Sequence, residues 1–130
     1  MLALGALAAS VFVVANDVTA MSVALPTIEQ DFDAQVTDVQ WVVNAYAAVF
    51  GVLIVTGGRL ADLYGRRRLF FVGAGIFSVF SLLGAIAPDI WWLVGCRALM
   101  GVGGAIMWPA VLGMTFSLLG EERAGLAGGL

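Results

Sequence analysis

The 130-residue chain has no histidine, a single cysteine (Cys96), three prolines, and charged side chains at only 12% of its positions. With no histidine and one cysteine set inside an apolar run, an internal disulfide framework and a cysteine-based metal site are both excluded. The shortage of charge excludes an ordinary water-soluble domain. Hydrophobic residues make up 62% of the chain, and a mean hydropathy of +1.02 would leave large apolar patches facing water. The start lacks a basic lead before Ala9, and its apolar run continues through Leu25, too long for a cleavable signal peptide. It reads as a retained first span. The net charge of −3 averages two differently charged faces, so its distribution carries the information. No nucleic-acid partner and no cofactor are expected.

At about 20 apolar residues per crossing, the length allows roughly four or five helical spans in one domain at most. The expected fold is an all-α membrane protein with four transmembrane helices, at residues 2–25, 39–58, 69–87 and 91–118, and the start of a fifth at 124–130. Pro26 is expected to end the first span, because it cannot extend the backbone ladder. Residues 27–40 carry Glu29, Asp31, Asp33 and Asp38 with no basic residue, the pattern of a solvated connection. In contrast, residues 58–68 hold Arg59, Arg66, Arg67 and Arg68, four of the six basic residues. The positive-inside bias places this basic turn in the cytoplasm and the acidic connection outside. Trp41, Trp91 and Trp92 then fall at the outer interface, where indole rings favour the headgroup region. Asn44, Ala48, Gly51, Val55 and Gly58 recur at helical spacing and suggest a seam for close helix packing. Pro109 is placed to kink or tilt a fourth span longer than a straight crossing needs.

Only Asp17 and Arg97 remain as charges inside the hydrocarbon. Such groups are costly there and are kept where they face protein or water and find a partner. Counted at about 1.5 Å per residue, Asp17 lies about 12 Å and Arg97 about 9 Å from the same end of their spans. Their depths agree within the length of an arginine side chain. Below Arg97, the face formed by Gly101, Gly104 and Trp108 has little bulk near the arginine and admits a ligand or another helix. These placements suggest a polar cavity bounded by spans 1 and 4, where a titratable carboxylate sits near a fixed guanidinium; the alternatives are an Arg97 that snorkels to the outer headgroups and a neutral Asp17 satisfied by Asn16, Thr19 or Ser22. A proton on Asp17 would leave Arg97 less compensated and so shift the balance between two arrangements of the bundle.

The segment Gly58-x-Leu60-Ala61-Asp62-x-x-Gly65-Arg66-Arg67 resembles the signature loop between helices 2 and 3 of the major facilitator superfamily. Asp17-x-Thr19 with Ala24-Leu25-Pro26 is similar to the first-helix motif of its fourteen-helix drug:proton antiporters, and Trp41-Val42-Val43-x-x-Tyr46 to their second helix. Arg97-Ala98-Leu99-x-Gly101-x-Gly103-Gly104-Ala105 resembles the fourth-helix motif, with Met100 where glutamine is usual. Ala20, Met21 and Ser22 also depart from the first-helix pattern. The resemblance covers essentially the whole chain, as part of an N-terminal six-helix bundle. It implies alternating access against a second bundle and proton-driven efflux of drug-like or amphipathic solutes. Its partners would be the bilayer, a small-molecule substrate, protons and the remainder of the transporter, in a bacterial plasma membrane. Proton coupling and the substrate cavity would fall on Asp17, Arg97, Asn44, Gly101, Gly104 and Trp108. The gating loop would comprise Gly58, Asp62, Gly65, Arg66 and Arg67, with Asp62 steadying one state against the second bundle.

An enzyme is not expected. The chain offers no nucleophile with a base and no paired carboxylates in one layer, and its glycines at 101, 103 and 104 follow no strand, unlike a phosphate loop. The alternative is a small helical membrane protein that acts by assembly with a partner, or a non-functional truncated remnant. On the transporter reading, 130 residues without a second bundle are expected to be inactive alone, with Gly101, Gly104 and the 44–58 seam facing lipid or another copy.

Overall fold

A computed structural model describes the backbone of residues 2–119 and the side chains of residues 5–117. The expected fifth span at 124–130, and the turn at Glu121, Glu122 and Arg123, lie outside the described residues. Four helices follow one another: α1 (Leu2–Phe32), α2 (Val36–Tyr64), α3 (Arg66–Ala85) and α4 (Ile90–Leu119). Each is long and apolar enough to cross a membrane.

All four expected spans are present, but α1, α2 and α4 outrun theirs, while α3 starts three residues early and stops at Ala85, two short of the expected end. At 31, 29 and 30 residues, α1, α2 and α4 exceed the roughly 20 that hydrocarbon requires. Hydropathy marks how much helix lies in the apolar layer, whereas backbone hydrogen bonds can continue into the polar region. Pro26 therefore does not end α1. It lies inside the helix, where its missing N–H deprives one carbonyl, that of Ser22, near a helix end. The stop comes at Asp33, whose φ of 47° is left-handed. Ala34 N–H then donates to Glu29 O at 3.2 Å, closing the helix in a Schellman-type cap. The expected acidic connection over 27–40 shrinks to residues 33–35.

The expected basic turn is corrected in the same way. Residues 58–64 belong to α2 and residues 66–68 to α3, so Gly65 alone joins the two helices. Its φ of 96° is open to glycine and strained for other residues, although a Cβ there would meet nothing within 4 Å. The constraint is conformational, not steric. The α3–α4 connection is shaped differently: Asp89 Oδ1 accepts from Trp92 N–H at 2.8 Å, an N-cap on α4. The Trp92 indole donates to Leu83 O at 3.2 Å and ties α3 to α4.

Helix α4 is the centre of the bundle, packed along both α2 and α3, while α1 lies against α2 and α4. Its glycines set these distances. A Cβ on Gly103 would come 2.7 Å from the Gly73 carbonyl and from Phe77 N of α3. One on Gly101 would come 2.8 Å from Tyr46 O of α2. Such backbone approach replaces hydrophobic driving force, which is weak between helices in lipid, with van der Waals packing. Gly101 and Gly104 thus face α2 of the same chain, not lipid or another copy as expected.

The seam proposed for α2 is also revised. Asn44, Ala48, Gly51 and Val55 are exposed, and only Gly58 is half-buried, with a Cβ placed 3.6 Å from Pro109. The inward face carries Val42, Ala45, Tyr46, Gly57 and Ala61. A Cβ on Gly57 would collide with the Ala105 carbonyl, the group that Pro109 leaves without its backbone donor.

Candidate functional site

Arg97 is the one charged side chain buried among the described residues, 1% exposed. Met100 and Cys96 flank it in the buried face of α4. Asp17 reaches it from α1, its side chain 16% exposed, with Oδ2 accepting from Arg97 Nη1 at 2.6 Å. The two helices are 80 positions apart at this contact. The expected pairing of the two intramembrane charges is therefore found.

Three further contacts hold the guanidinium. Nε donates to Val42 O of α2 at 3.2 Å. Nη1 also lies 3.8 Å from Met100 Sδ, so the methionine at the position usual for glutamine touches the arginine through sulfur. The Tyr46 ring stands 4.7 Å from Cζ, within cation–π range. Tyr46 belongs to the segment that resembles a second-helix motif but was not singled out as a site residue. The signal available was its position four residues after Val42, on the same face of α2.

Two buried polar atoms beside the pair have no hydrogen-bond partner among the described residues: Arg97 Nη2 and the Tyr46 hydroxyl. Buried polar groups are rarely left so. Tyr46 is fixed by its neighbours, stacked on Phe50 at 5.8 Å and edge-on to Phe77 at 6.4 Å between ring centroids. A Cβ on Gly104 would stand 2.9 Å from its hydroxyl oxygen. The missing side chain at Gly104 makes room for the phenol.

Two cavities flank this cluster. One, of about 370 Å³, is an apolar groove among Val14, Val18, Tyr46, Ala47, Phe50 and Trp108. The other, of about 400 Å³, is lined by Asp17, Arg97 and Met100, by Asp31 and Phe32 of α1, and by Ser81 and Gly84 of α3. The polar cavity is thus bounded by α1, α3 and α4, a wider set than the two helices expected. Trp108 lines the apolar groove, not the cavity holding the pair. Asn44 is exposed and takes no part in either.

The loop residues form a second small cluster. Asp62 Oδ1 accepts from Arg66 Nη2 at 3.2 Å, with side chains 67% and 45% exposed. Arg66 Nη1 donates to Gly113 O at 2.8 Å, fastening the α2–α3 junction to α4. A Cβ on Gly113 would stand 2.7 Å from Arg66 Cδ and Nε. Arg67 is exposed.

Four apolar helices of spanning length around a buried ion pair define a multi-pass integral membrane protein. Comparison with known proteins specifies it further. The family model described as Major Facilitator Superfamily matches residues 7–130, and the chain belongs to that family. It is 41% identical over 122 residues, 94% of its length, to the multidrug efflux pump LfrA of Mycolicibacterium smegmatis, covering 24% of that protein. It is 45% identical over 115 residues to the puromycin resistance protein pur8 of Streptomyces alboniger, covering 88% of this chain and 23% of that one. The tetracenomycin C resistance and export protein of Streptomyces glaucescens is 38% identical over 109 residues, 84% of this chain and 20% of its own length. The chain spans about a quarter of the length of these relatives.

Proposed function

We propose that this chain forms part of the N-terminal bundle of a proton-driven exporter of drug-like or amphipathic small molecules, working by alternating access. The observation that carries the reading is the Asp17–Arg97 pair, buried where α1, α2 and α4 meet and open to a cavity. A carboxylate beside a fixed cation can exchange a proton at modest structural change, and the exchange alters how well Arg97 is compensated. With Asp17 ionised the pair is closed and α1 is held to α4. With Asp17 protonated the Coulombic hold is lost, which favours an arrangement in which the two helices separate. The apolar groove beside Tyr46 supplies an adjacent place for a largely apolar solute. The relatives named for efflux, resistance and export of drugs or antibiotics support the direction and the substrate class.

In this reading the arginine-rich junction faces the cytoplasm of a bacterial cell. Gly58, Asp62, Gly65, Arg66 and Arg67 make the gating loop. Asp62, two-thirds exposed beyond its contact with Arg66, is free on one side to meet the second bundle. Alternation needs two bundles, so the 130 residues alone do not transport. The test is proton-linked efflux of a panel of cationic and neutral compounds by the full-length protein carrying this chain, compared with its Asp17→Asn variant. Loss of proton dependence in the variant is expected, and unchanged coupling would sink the reading. Uptake by vesicles holding only these 130 residues would contradict the claim of inactivity.

A further inference from the structure

Three consecutive arginines open α3, and the turn of the helix sends them two ways. Arg66 lies on the side of the buried Gly73 and Phe77, where its guanidinium is spent on Asp62 and the Gly113 carbonyl. Successive residues rotate by about 100° around a helix, so Arg67 and Arg68 fall on the opposite side, and both are exposed. Neither makes an ion pair or a side-chain hydrogen bond among the described residues. Asp62, the one carboxylate in residues 58–68, is already held by Arg66. Further along the same face come Phe71, Gly75, Val79 and Leu82, at the i+3 and i+4 steps that keep one side of a helix. All four are exposed. A Cβ on Gly75 would meet nothing within 4 Å, so the stripe has an open notch between Phe71 and Val79. From Arg68 to Leu82 the face runs about 21 Å, longer than the roughly 15 Å of hydrocarbon in one leaflet.

We propose that this face of α3 holds one anionic phospholipid of the leaflet that the α2–α3 junction faces, its phosphate shared by Arg67 and Arg68 and an acyl chain laid along Phe71, Gly75, Val79 and Leu82. The head of the face is cationic and its body apolar, which matches the two ends of such a lipid. A guanidinium meets a phosphate through two parallel N–H donors, a geometry that lysine does not offer. Arg66 takes no part, because its donors are committed to Asp62 and Gly113. A soluble phosphate would meet the arginines and leave the stripe unused. Another protein helix laid on the stripe would desolvate two guanidiniums that have no carboxylate beside them, a cost that a lipid phosphate removes. The proposal does not depend on proton coupling at Asp17.

The test is native mass spectrometry of the purified full-length protein carrying this chain, in detergent with added dioleoyl phosphatidylglycerol or dioleoyl phosphatidylcholine. The second lipid has the same chains and a zwitterionic head. The first phosphatidylglycerol is expected to bind with a Kd about 25-fold below that of phosphatidylcholine, about fivefold for each arginine. Arg67→Gln/Arg68→Gln should erase the preference. Where the double variant fails to fold, Arg67→Gln and Arg68→Gln taken singly decide, each with a loss of about fivefold. Arg59→Gln removes a junction charge from α2 and should leave the preference unchanged. Gly75→Trp keeps every charge, fills a notch where a Cβ meets nothing, and should weaken the phosphatidylglycerol site. A wild type without preference, as where another helix or a second copy covers the face, overturns the proposal. So does a double variant that keeps the preference, an Arg59→Gln variant that loses as much as the double variant, or a Gly75→Trp variant of wild-type affinity. Displacement of the lipid by glycerol 1-phosphate, which has the phosphate and no acyl chain, would give the arginines to a soluble anion and overturn it as well.

Discussion

Replacing Asp17 by asparagine keeps the shape of the side chain and deletes the charge that faces a guanidinium with 1% exposure. Two unit charges about 4 Å apart attract by about 4 kcal/mol at an effective dielectric of roughly 20. Removing one member of a buried pair costs about 3–5 kcal/mol, because the survivor stays desolvated and uncompensated. Arg97 would keep only Val42 O, Met100 Sδ and the Tyr46 ring, and none of these is charged. A neutral hydrogen bond from the new amide oxygen returns about 1 kcal/mol. The net loss expected is therefore about 3 kcal/mol. Exchanging Arg97 for methionine in the same background removes the stranded charge, and Asp17→Asn/Arg97→Met should lie within about 1 kcal/mol of the wild type. Reversible unfolding in mixed micelles of increasing sodium dodecyl sulfate, followed by tryptophan fluorescence, measures all three. The reasoning is refuted where Asp17→Asn falls within about 0.5 kcal/mol of the wild type, the ordinary range for surface changes, or where the double variant is less stable than the single.

Two further outcomes check the scaffold by the same unfolding measurement. Gly65→Ala should cost about 1–3 kcal/mol although a Cβ there has open space, because a φ of 96° is strained for alanine; a neutral result would show that the α2–α3 junction relaxes freely. Gly103→Val should prevent stable packing of α3 on α4, since even its Cβ would stand 2.7 Å from the Gly73 carbonyl, and a folded variant of wild-type stability would refute the close approach.

Much of the site was legible because charge is so scarce in the spans. Once the acidic connection and the arginine cluster are assigned to polar regions, Asp17 and Arg97 are left with opposite sign and similar depth, and each requires a partner. Tyr46 was not legible in that way. An aromatic residue in an apolar helix is unremarkable by composition, and its importance comes from the guanidinium above it and the glycine opposite it. Trp108 shares a helical face with Arg97 by spacing, yet about three turns of helix separate the two positions. It opens on the apolar groove instead of the polar cavity.

The inward face of α2 was misread for a related reason. Small residues occur on more than one side of that helix, and periodicity alone does not say which side meets a neighbour. Asn44 and Gly51 fit the pattern as well as Gly57 does, but Gly57 is the one against the Ala105 carbonyl. The choice depends on where α4 runs. Helix ends were misplaced because hydropathy measures residence in hydrocarbon, while Asp33 and Gly65 end helices through backbone conformation.

By itself the sequence determined four membrane-spanning helices and the glycine-bearing junction, and it left Asp17 and Arg97 as two costly charges that could pair, or be resolved separately by an Arg97 reaching the headgroups and a neutral Asp17. Only the tertiary structure decided which faces close, that Arg66 fastens to the Gly113 carbonyl, and that Tyr46 stands between the groove and the pair. Those are properties of the distances between helices, and the residues setting them, Gly57, Gly101, Gly103 and Gly104, act by what they leave empty.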